Sequence, residues 1–346
     1  MMDDNFLIRS AAVDITNKCN FRCLHCYNKS GEHINRESEM NDNEILKVMN
    51  EIIELQPDSI CLCGGEPLLR VNLIYKICKL VKSKNPNISL NMVSNGFFMT
   101  QEIASNLKKS GINLIQISLD GSTEKSHNWL RNNDLAFKMA INAIKIVSDM
   151  GIRVNVACTP TKINYNEIES TINLCSRLGV NTFRLQPLMI MGRGSKLSNY
   201  VLNDEEYHRL SLKIKELSSE QKEMRIEWGD PLQHIENILY TKKKSSFIDF
   251  GISAYGDIMI SPYIPVMVGN IKKEMLVNYV DKGLKDIFLD PFIKKVASLI
   301  TDWGEMNMNK TSPLFPVLGS EKNINYDLIR KEDNDLDVIN AILKME

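Results

Sequence analysis

The sequence predicts an α/β protein in which βα units surround a parallel sheet. From residue 11 to about 186, short runs of β-branched and apolar residues alternate with segments of helical period. Gly111, Gly151 and Gly179 each follow a helical segment and precede the next strand, as helix-ending glycines do. The chain has 346 residues, 43% hydrophobic and 25% charged, which suits an enzyme with a sizeable core.

Six strands and five helices are expected in this region. The strands are predicted at 11–16, 59–63, 88–93, 113–119, 152–158 and 181–186. The helices are predicted near 43–55, 71–84, 100–110, 134–150 and 164–178. Right-handed crossovers between such strands produce either an open, doubly wound sheet or an incomplete barrel, and periodicity alone does not choose between them. In both, the chemistry is expected at the C-terminal ends of the strands.

After residue 190 the alternation stops. The segment 203–223 is predicted to be a charged amphipathic helix, and "IEWGDP" a strand that leads into a turn. The segment "ISAYGDIMIS" predicts a hairpin around Tyr255-Gly256-Asp257. A polar tail from about residue 304 should end in a short helix.

The charge pattern excludes several classes of partner. The formal net charge is −1, so there is no global attraction to nucleic acid or to an anionic membrane. No stretch approaches the roughly 20 apolar residues that span a bilayer. Eight cysteines are too few for a disulfide scaffold in a chain of this length. We therefore predict a cytoplasmic protein with neither nucleic acid nor membrane as a partner.

Three cysteines are concentrated in "CNFRCLHCY", residues 19–27, where Cys19, Cys23 and Cys26 have the spacing C-x3-C-x2-C. A structural zinc site takes four ligands, and His25 is poorly placed to be the fourth because it directly precedes Cys26. A [4Fe–4S] cluster also usually takes four thiolates. Three thiolates would leave one iron open to a ligand that takes part in chemistry. A zinc-binding loop is the alternative.

This loop resembles the cluster loop of the radical S-adenosylmethionine (SAM) enzymes. Further motifs of that superfamily follow in order at the ends of the predicted strands: "GGEP" at 64–67, "SNG" at 94–96, "ISLDG" at 117–121 and "HNWLR" at 127–131. The resemblance covers residues 11 to about 194. It implies an α/β fold with a partial (β/α)6 barrel of TIM type.

The resemblance also implies the cofactors, namely one [4Fe–4S] cluster with an open iron and SAM. Cys19, Cys23 and Cys26 would hold the cluster. One electron from it would cleave SAM to methionine and a 5′-deoxyadenosyl radical, which abstracts hydrogen from a substrate.

The SAM contacts implied by the resemblance lie in the loops after the strands. Glu66 would accept a hydrogen bond from the ammonium group of SAM, and Arg131 would bind its carboxylate. The backbone of His25 and Tyr27 would contact the adenine. Two glycines would let the backbone approach the cofactor, namely Gly64 and Gly65. Four polar residues are candidates for ribose and carboxylate contacts: Ser94, Asn95, Ser118 and Asp120.

The second half resembles, in degraded form, the SPASM or twitch extensions of peptide- and protein-modifying maturases. The implied domains are the barrel at 1–194, a small α+β extension at 195–303 and the polar tail at 304–346. In that pattern a cysteine precedes the proline after the hairpin, whereas this chain has Ser261 before Pro262. Because no cysteine follows Cys175, we predict no auxiliary cluster held by thiolates.

Three functions are compatible with these features. The first is modification of a ribosomally made peptide by a cross-link, a thioether or Cα epimerisation. It would require an external one-electron reductant of flavodoxin or ferredoxin type, and either a separate leader-binding protein or the C-terminal region to bind a leader. The second is radical chemistry on a sugar, amino acid or cofactor precursor, which the absence of a peptide-recognition domain before the cluster loop keeps open. The third is a non-enzymatic zinc or Fe–S protein.

For catalytic residues, the sequence offers only two candidates, both of them thiols. Cys61 and Cys63 lie two residues apart on the second predicted strand, so both could point into the barrel just before "GGEP". An epimerase needs a hydrogen-atom donor, which a thiol there could be; a pair of inert core thiols is the alternative. Three isolated cysteines are expected to be buried and inert: Cys78, Cys158 and Cys175.

Overall fold

A single mixed sheet forms the centre of the protein. The computed structural model describes residues 7–32, 38–221, 223–229, 231–242, 247–264, 266–300 and 323–344. The strands are β1 (Leu7–Thr16), β2 (Ser59–Gly64), β3 (Ser89–Ser94), β4 (Leu114–Ser118), β5 (Arg153–Cys158), β6 (Thr182–Leu185), β7 (Arg225–Trp228), β8 (Phe247–Ile252), β9 (Asp257–Met259), β10 (Val266–Asn270) and β11 (Ile324–Asn325). Their order in the sheet is β11-β10-β9-β8-β1-β2-β3-β4-β5-β6-β7.

The helices follow the strands in the alternation that the sequence predicts. They are α1 (Asp42–Glu54), α2 (Val71–Lys84), α3 (Gln101–Ser110), α4 (Glu124–Arg131), α5 (Ala136–Asp149), α6 (Ile168–Arg177), α7 (Asp204–Glu220), α8 (Pro231–Tyr240), α9 (Leu276–Asp281), α10 (Pro291–Ser298) and α11 (Leu336–Leu343). Short 3-10 helices lie at Pro67–Arg70, Tyr165–Glu167, Gly192–Tyr200, Leu284–Leu289 and Lys331–Asp333. Among the helices of the described residues, none is long and apolar enough to cross a bilayer.

The two faces of the parallel strands differ in chemistry. On β2, Ile60 and Leu62 are fully buried in the main apolar core, and Ile115 and Ile117 on β4 are buried in the same way. The alternate positions form what we call the inner face, and several of them are polar and only partly buried: Asp14, Cys61, Cys63, Asn91, Gln116, Asn155 and Arg184. Because side chains alternate along a strand, one face packs against helices while the other lines a polar interior.

The α/β class and the partial-barrel architecture are confirmed. Each of the six predicted strands is present as one of β1 to β6, and the five predicted helices are α1, α2, α3, α5 and α6. One helix was not predicted: α4 contains the "HNWLR" motif, which the sequence analysis places in a loop after the fourth strand. Thr123 caps this helix by accepting a hydrogen bond from the amide of Ser126, a pattern that predicts a helix start.

The parallel sheet is larger than the six strands predicted. β7 pairs with β6, so that Glu227 lies beside Arg184, and β8 pairs with β1, so that Gly251 lies beside Ala12. Both added strands are parallel to their neighbours, and β8 continues into β9 as the predicted hairpin. The sheet therefore crosses the proposed boundary at residue 194, because β7 and β8 come from the second half of the chain.

The described residues of the predicted polar tail pack against the rest of the protein. β11 pairs with β10, and Asp327 is buried and accepts a hydrogen bond from the hydroxyl of Tyr279 at 3.1 Å. The predicted terminal helix corresponds to α11, whose Ile342 is fully buried. The other parts of the predicted tail, residues 304–322 and 345–346, lie outside the described residues.

Candidate active site

The three clustered cysteines lie in the loop after β1, residues 17–32, which we call the cluster loop. Cys23 belongs to a small apolar cluster against which the thiols of Cys19 and Cys26 also pack. The aromatic and apolar members of that cluster are Phe21, Phe97 and Ala136. The three thiols therefore share one largely apolar environment, although other residues separate them in sequence.

Nitrogen donors surround these sulfurs. The amide of Phe21 donates to Cys19 Sγ at 3.4 Å, and Nη1 of Arg131 lies 4.0 Å from Cys23 Sγ. In the same loop, Asn20 Nδ2 is buried without a hydrogen-bond partner among the described residues. Hydrogen bonds to sulfur stabilise an anionic Fe–S cluster. This donor set therefore fits a [4Fe–4S] cluster.

Burial disfavours free thiolates in this loop. It raises the pKa of Cys19 to about 11 and also raises that of Cys23. In the part of the chain that the structure describes, no three His, Cys, Asp or Glu side chains could hold a single metal ion. A cubane cluster does not require such convergence, because each thiolate binds a different iron.

Arg193, in the 3-10 helix that follows β6, holds the backbone of the cluster loop by hydrogen bonds. Its Nε donates to the carbonyl oxygen of Cys23 at 2.8 Å, and its amide donates to the carbonyl oxygen of Cys26 at 2.9 Å. Its Nη1 reaches the carbonyl oxygen of Ser30 at 3.3 Å and Glu32 Oε1 at 2.8 Å. The sequence analysis did not single out Arg193; its only signal is the pair of flanking glycines in "GRG".

The "GGEP" segment is attached to the start of the cluster loop. Gly65 donates its amide hydrogen to Thr16 O at 2.7 Å, and Glu66 donates its own to Lys18 O at 2.9 Å. A Cβ at Gly64 would lie 2.2 Å from Thr16 O, and one at Gly65 would lie 2.1 Å from Lys18 O. The space that side chains at these two positions would need is filled by the backbone of residues 16–18, and their approach to the cofactor stays a prediction.

Glu66 lies in a buried network that joins two strand ends. Its carboxylate accepts hydrogen bonds from the amide of Leu68 at 3.0 Å, from Ser94 Oγ at 2.8 Å and from the amide of Asn95 at 2.9 Å. Burial raises the pKa of this carboxyl. Asn95 Nδ2 also donates to Asn20 Oδ1 at 2.9 Å, which links the end of β3 to the cluster loop. Contact of these groups with SAM stays a prediction.

Asp120 and Arg131 form a buried ion pair beside the cluster loop. Arg131 Nε donates to Asp120 Oδ2 at 2.6 Å, and Thr159 N donates to Oδ1 at 3.0 Å. Asp120 is fully buried and holds Arg131, and its contact with a ribose or carboxylate stays a prediction. His127 stays neutral, because its Nδ1 accepts the amide hydrogen of Asp120 at 3.0 Å and burial lowers its pKa to about 3.

This ion pair predicts an acid-dependent stability. Burial alone would raise the pKa of Asp120, but Arg131 lowers it from 3.8 to about 2. A depressed carboxyl pKa stabilises the fold above pH 4, and that stability is lost as the pH falls through 2. We expect Asp120→Asn to lose at least about 2 kcal/mol at neutral pH, measured by denaturant unfolding at several pH values. Exposed Asp134→Asn is the control, and equal stability of the two variants at pH 7 would contradict this account.

The inner face carries further groups close to the cluster loop. The side chain of Tyr27 is 51% exposed, yet its phenol is close enough to Asp14 and Cys63 of the inner face to interact with them electrostatically. Burial raises the pKa of its phenol, and the nearby Asp14, Cys63 and Cys26 raise it further. Ser118 lies half-buried on the inner face of β4. The structure therefore brings Tyr27 next to the Cys61/Cys63 strand, a proximity that the sequence did not predict.

The second half of the chain also contributes to this interior. Gln186 Nε2, just after β6, donates to the hydroxyl of Tyr263 at 2.5 Å. Tyr263 follows Ser261, whose Oγ accepts the amide hydrogen of Tyr263 at 3.1 Å. On β5 and β6, Asn155 Oδ1 and Arg184 Nε are buried and have no hydrogen-bond partner among the described residues. The interior therefore presents both an acceptor and a donor to a polar ligand.

Comparison with known proteins identifies the class of this site. Residues 13–175 match the profile of the Radical SAM superfamily. These residues run from the end of β1 to the end of α6 and include the cluster loop, so they make up a radical SAM domain. This part of the chain belongs to the radical SAM superfamily, a family that implies a [4Fe–4S] cluster and SAM.

Individual relatives differ in their substrates. The chain is 23% identical over 288 residues to an AdoMet-dependent heme synthase of Methanosarcina barkeri, covering 77% of this chain and 80% of that protein. It is 29% identical over 254 residues to the sporulation killing factor maturation protein SkfB of Bacillus subtilis, covering 73% and 58%. It spans about half the length of several other curated relatives.

Solved structures show the same fold. Streptococcus suis SuiB bound to S-adenosylmethionine aligns with a TM-score of 0.64 at 14% identity, over 92% of this chain and 75% of that one. SuiB has also been solved bound to its precursor peptide SuiA. At this identity the likeness establishes the partial-barrel fold alone.

Proposed function

We propose that this protein is a radical SAM maturase that modifies a ribosomally made peptide. The observation that carries the radical chemistry is the cluster loop, whose three thiols share one environment and whose backbone is hydrogen-bonded to "GGEP" and to Arg193. When bound, the cluster supplies the electron that cleaves SAM and starts hydrogen abstraction. The protein's own residues orient the cofactors and keep the interior free of bulk water.

The proposed ligands follow from the site. Cys19, Cys23 and Cys26 hold one [4Fe–4S] cluster and leave one iron open for SAM. Arg131 lies beside Cys23, and its guanidinium has hydrogens beyond the one it gives to Asp120, so it is suited to the SAM carboxylate. The other contacts proposed for SAM are the backbone of His25 and Tyr27 together with Ser94, Asn95, Ser118 and Glu66.

The extension is proposed to hold no second cluster. Ser261 stands where the SPASM/twitch pattern has a cysteine, and its hydroxyl caps the turn to Tyr263. It is buried at 4% exposure, and a serine hydroxyl is a poor ligand for iron. The extension then acts through packing and substrate contact, with Tyr263 directed at the end of β6.

A peptide substrate is supported by two observations. SkfB, whose name describes maturation of the sporulation killing factor, matches 73% of this chain. Asn155 Oδ1 and Arg184 Nε have no hydrogen-bond partner within the described part of the chain, and an acceptor and a donor of this kind suit the N–H and C=O groups of a peptide. The proposed partners are this peptide, a cytoplasmic flavodoxin or ferredoxin as reductant, and a separate leader-binding protein.

A small-molecule substrate is the second candidate. The heme synthase of Methanosarcina barkeri matches 77% of this chain and is itself matched over 80% of its length. The same polar interior suits a carboxylate-bearing small molecule, since Arg184 provides a cation for it.

The first test is anaerobic reconstitution followed by an assay of SAM cleavage. We expect about four irons per chain and 5′-deoxyadenosine formed with dithionite. Binding of the precursor peptide encoded next to the gene, followed by mass spectrometry of that peptide, then decides between the two substrate classes. A zinc-loaded protein that forms no 5′-deoxyadenosine would contradict the radical function, and about eight irons per chain would contradict the single cluster.

A further inference from the structure

We infer that Cys61 and Cys63 form a redox-active dithiol that donates a hydrogen atom to a carbon radical in the barrel and is oxidised to a disulfide. This inference rests on the proposed radical function and assigns both thiols to one site.

The two thiols are in direct contact. Cys63 Sγ lies 3.3 Å from Cys61 Sγ, and both are free cysteines. The residues between and before them on β2, Leu62 and Ile60, are fully buried in the apolar core, so the thiols occupy the opposite face. The isolated cysteines differ in this respect, because they are 0–1% exposed within the core: Cys78, Cys158 and Cys175.

The pair lies where a radical would be generated. Cys63 directly precedes Gly64, the first residue of the "GGEP" segment attached to the cluster loop. Tyr27, which follows the third cysteine of that loop, is close enough to Cys63 for the two to interact electrostatically. Cys63 is therefore the thiol nearer to the cofactor end of the strand, and Cys61 is its deeper partner.

A proton acceptor stands beside the pair. Asp14 on β1 is the register partner of Cys63, on the same inner face. Burial, together with Glu39, raises the pKa of Asp14 to about 7. Its carboxylate is therefore able to take up a proton at neutral pH and release it again.

The chemistry balances with one external partner. Cys63 gives a hydrogen atom to the carbon radical, which forms a C–H bond and leaves a thiyl radical. Cys61 loses its proton to Asp14, and the two sulfurs join as a disulfide radical anion. One electron then passes to the oxidised form of the flavodoxin- or ferredoxin-type carrier, which leaves a neutral disulfide. A cellular dithiol reductant restores both thiols with two electrons and two protons.

The geometry favours a disulfide that is easily reduced. Two residues along a strand span about 6.6 Å, which is at the upper end of the Cα separation that a disulfide tolerates. A strained disulfide has a higher reduction potential, so cellular dithiols can reopen it after each turnover. This separation therefore suits a pair of thiols that is oxidised and reduced in each turnover.

One test needs no substrate. Trypsin cleaves after Lys47 and Arg70 and releases residues 48–70, in which Cys61 and Cys63 are the only cysteines. After anaerobic treatment of the reconstituted enzyme with diamide and alkylation with N-ethylmaleimide, we expect this peptide to be lighter by two hydrogen atoms and free of adducts. Two maleimide adducts on the diamide-treated peptide would overturn the dithiol assignment.

A second test measures hydrogen donation. The enzyme is incubated in D2O with SAM and reduced flavodoxin, so that the exchangeable thiol hydrogens are deuterium. We expect wild type and the control Cys175→Ala to place deuterium in 5′-deoxyadenosine, and Cys63→Ser to lose most of that label. Unchanged label in Cys63→Ser would exclude Cys63 as donor while the radical function stands. Absence of 5′-deoxyadenosine from wild type would instead refute the radical function.

Discussion

Gly64→Ala is expected to unfold the start of the active site and to abolish cluster binding. Gly64 has a φ of 122°, a backbone conformation that residues with a side chain rarely adopt. The Cβ that alanine adds would lie 2.2 Å from Thr16 O. That carbonyl oxygen also accepts the amide hydrogen of Gly65 at 2.7 Å, so moving it breaks the link between β2 and the cluster loop. Backbone strain and steric overlap together should lower the free energy of unfolding by at least about 3 kcal/mol.

Gly283→Ala provides a matched control for this prediction. Gly283 has a similar φ of 131°, but no atom lies within 4 Å of the Cβ that alanine would add. This variant should therefore lose only about 1 kcal/mol and keep its iron. Thermal unfolding and iron content measure both effects. If the two alanine variants lose the same stability and retain the same iron, close contact at Gly64 does not organise the site.

The sequence predicts the elements of the fold better than their extent. β1 is expected at 11–16 but begins at Leu7, because Arg9 within "LIRS" pairs with Asp249 of β8 across 240 residues. Such a partner has no local signature. β7 was expected as a strand that leads into a turn, and its four residues, Arg225–Trp228, carry no pattern that would place them beside β6.

In the candidate site, too, features that are local in sequence are predicted, whereas partners that are distant in sequence are not. The spacing of three cysteines and the order of the strand-end motifs predict a cluster loop, since both are local in sequence. The partners of individual side chains are not local: Asp120 is fully buried against Arg131, which lies on the next helix. Likewise, Tyr27 lies near enough to Cys63 to interact with it electrostatically, although the two residues are distant in sequence.

Arg193 is the clearest case of a long-range partner, and it predicts a large effect on the cluster. Its Nε binds the carbonyl oxygen of Cys23, 170 residues away in sequence, and its amide binds that of Cys26. Arg193→Ala removes the side-chain bonds to Cys23 O, Ser30 O and Glu32 together, which should lower the free energy of unfolding by about 3 kcal/mol or more. We therefore expect most of the iron to be lost during reconstitution and gel filtration.

The conservative variant separates positioning from charge. Lysine carries the same charge but lacks the planar group that reaches Cys23 O, Ser30 O and Glu32 together. Arg193→Lys should therefore bind some iron but show an altered electron paramagnetic resonance signal of the reduced cluster. Lys196→Ala, an exposed cation of the same 3-10 helix, is the control and should match wild type. A normal signal and full iron content in Arg193→Ala would mean that the cluster loop holds its shape without the Arg193 side chain, through bonds such as those to "GGEP" and Asn95.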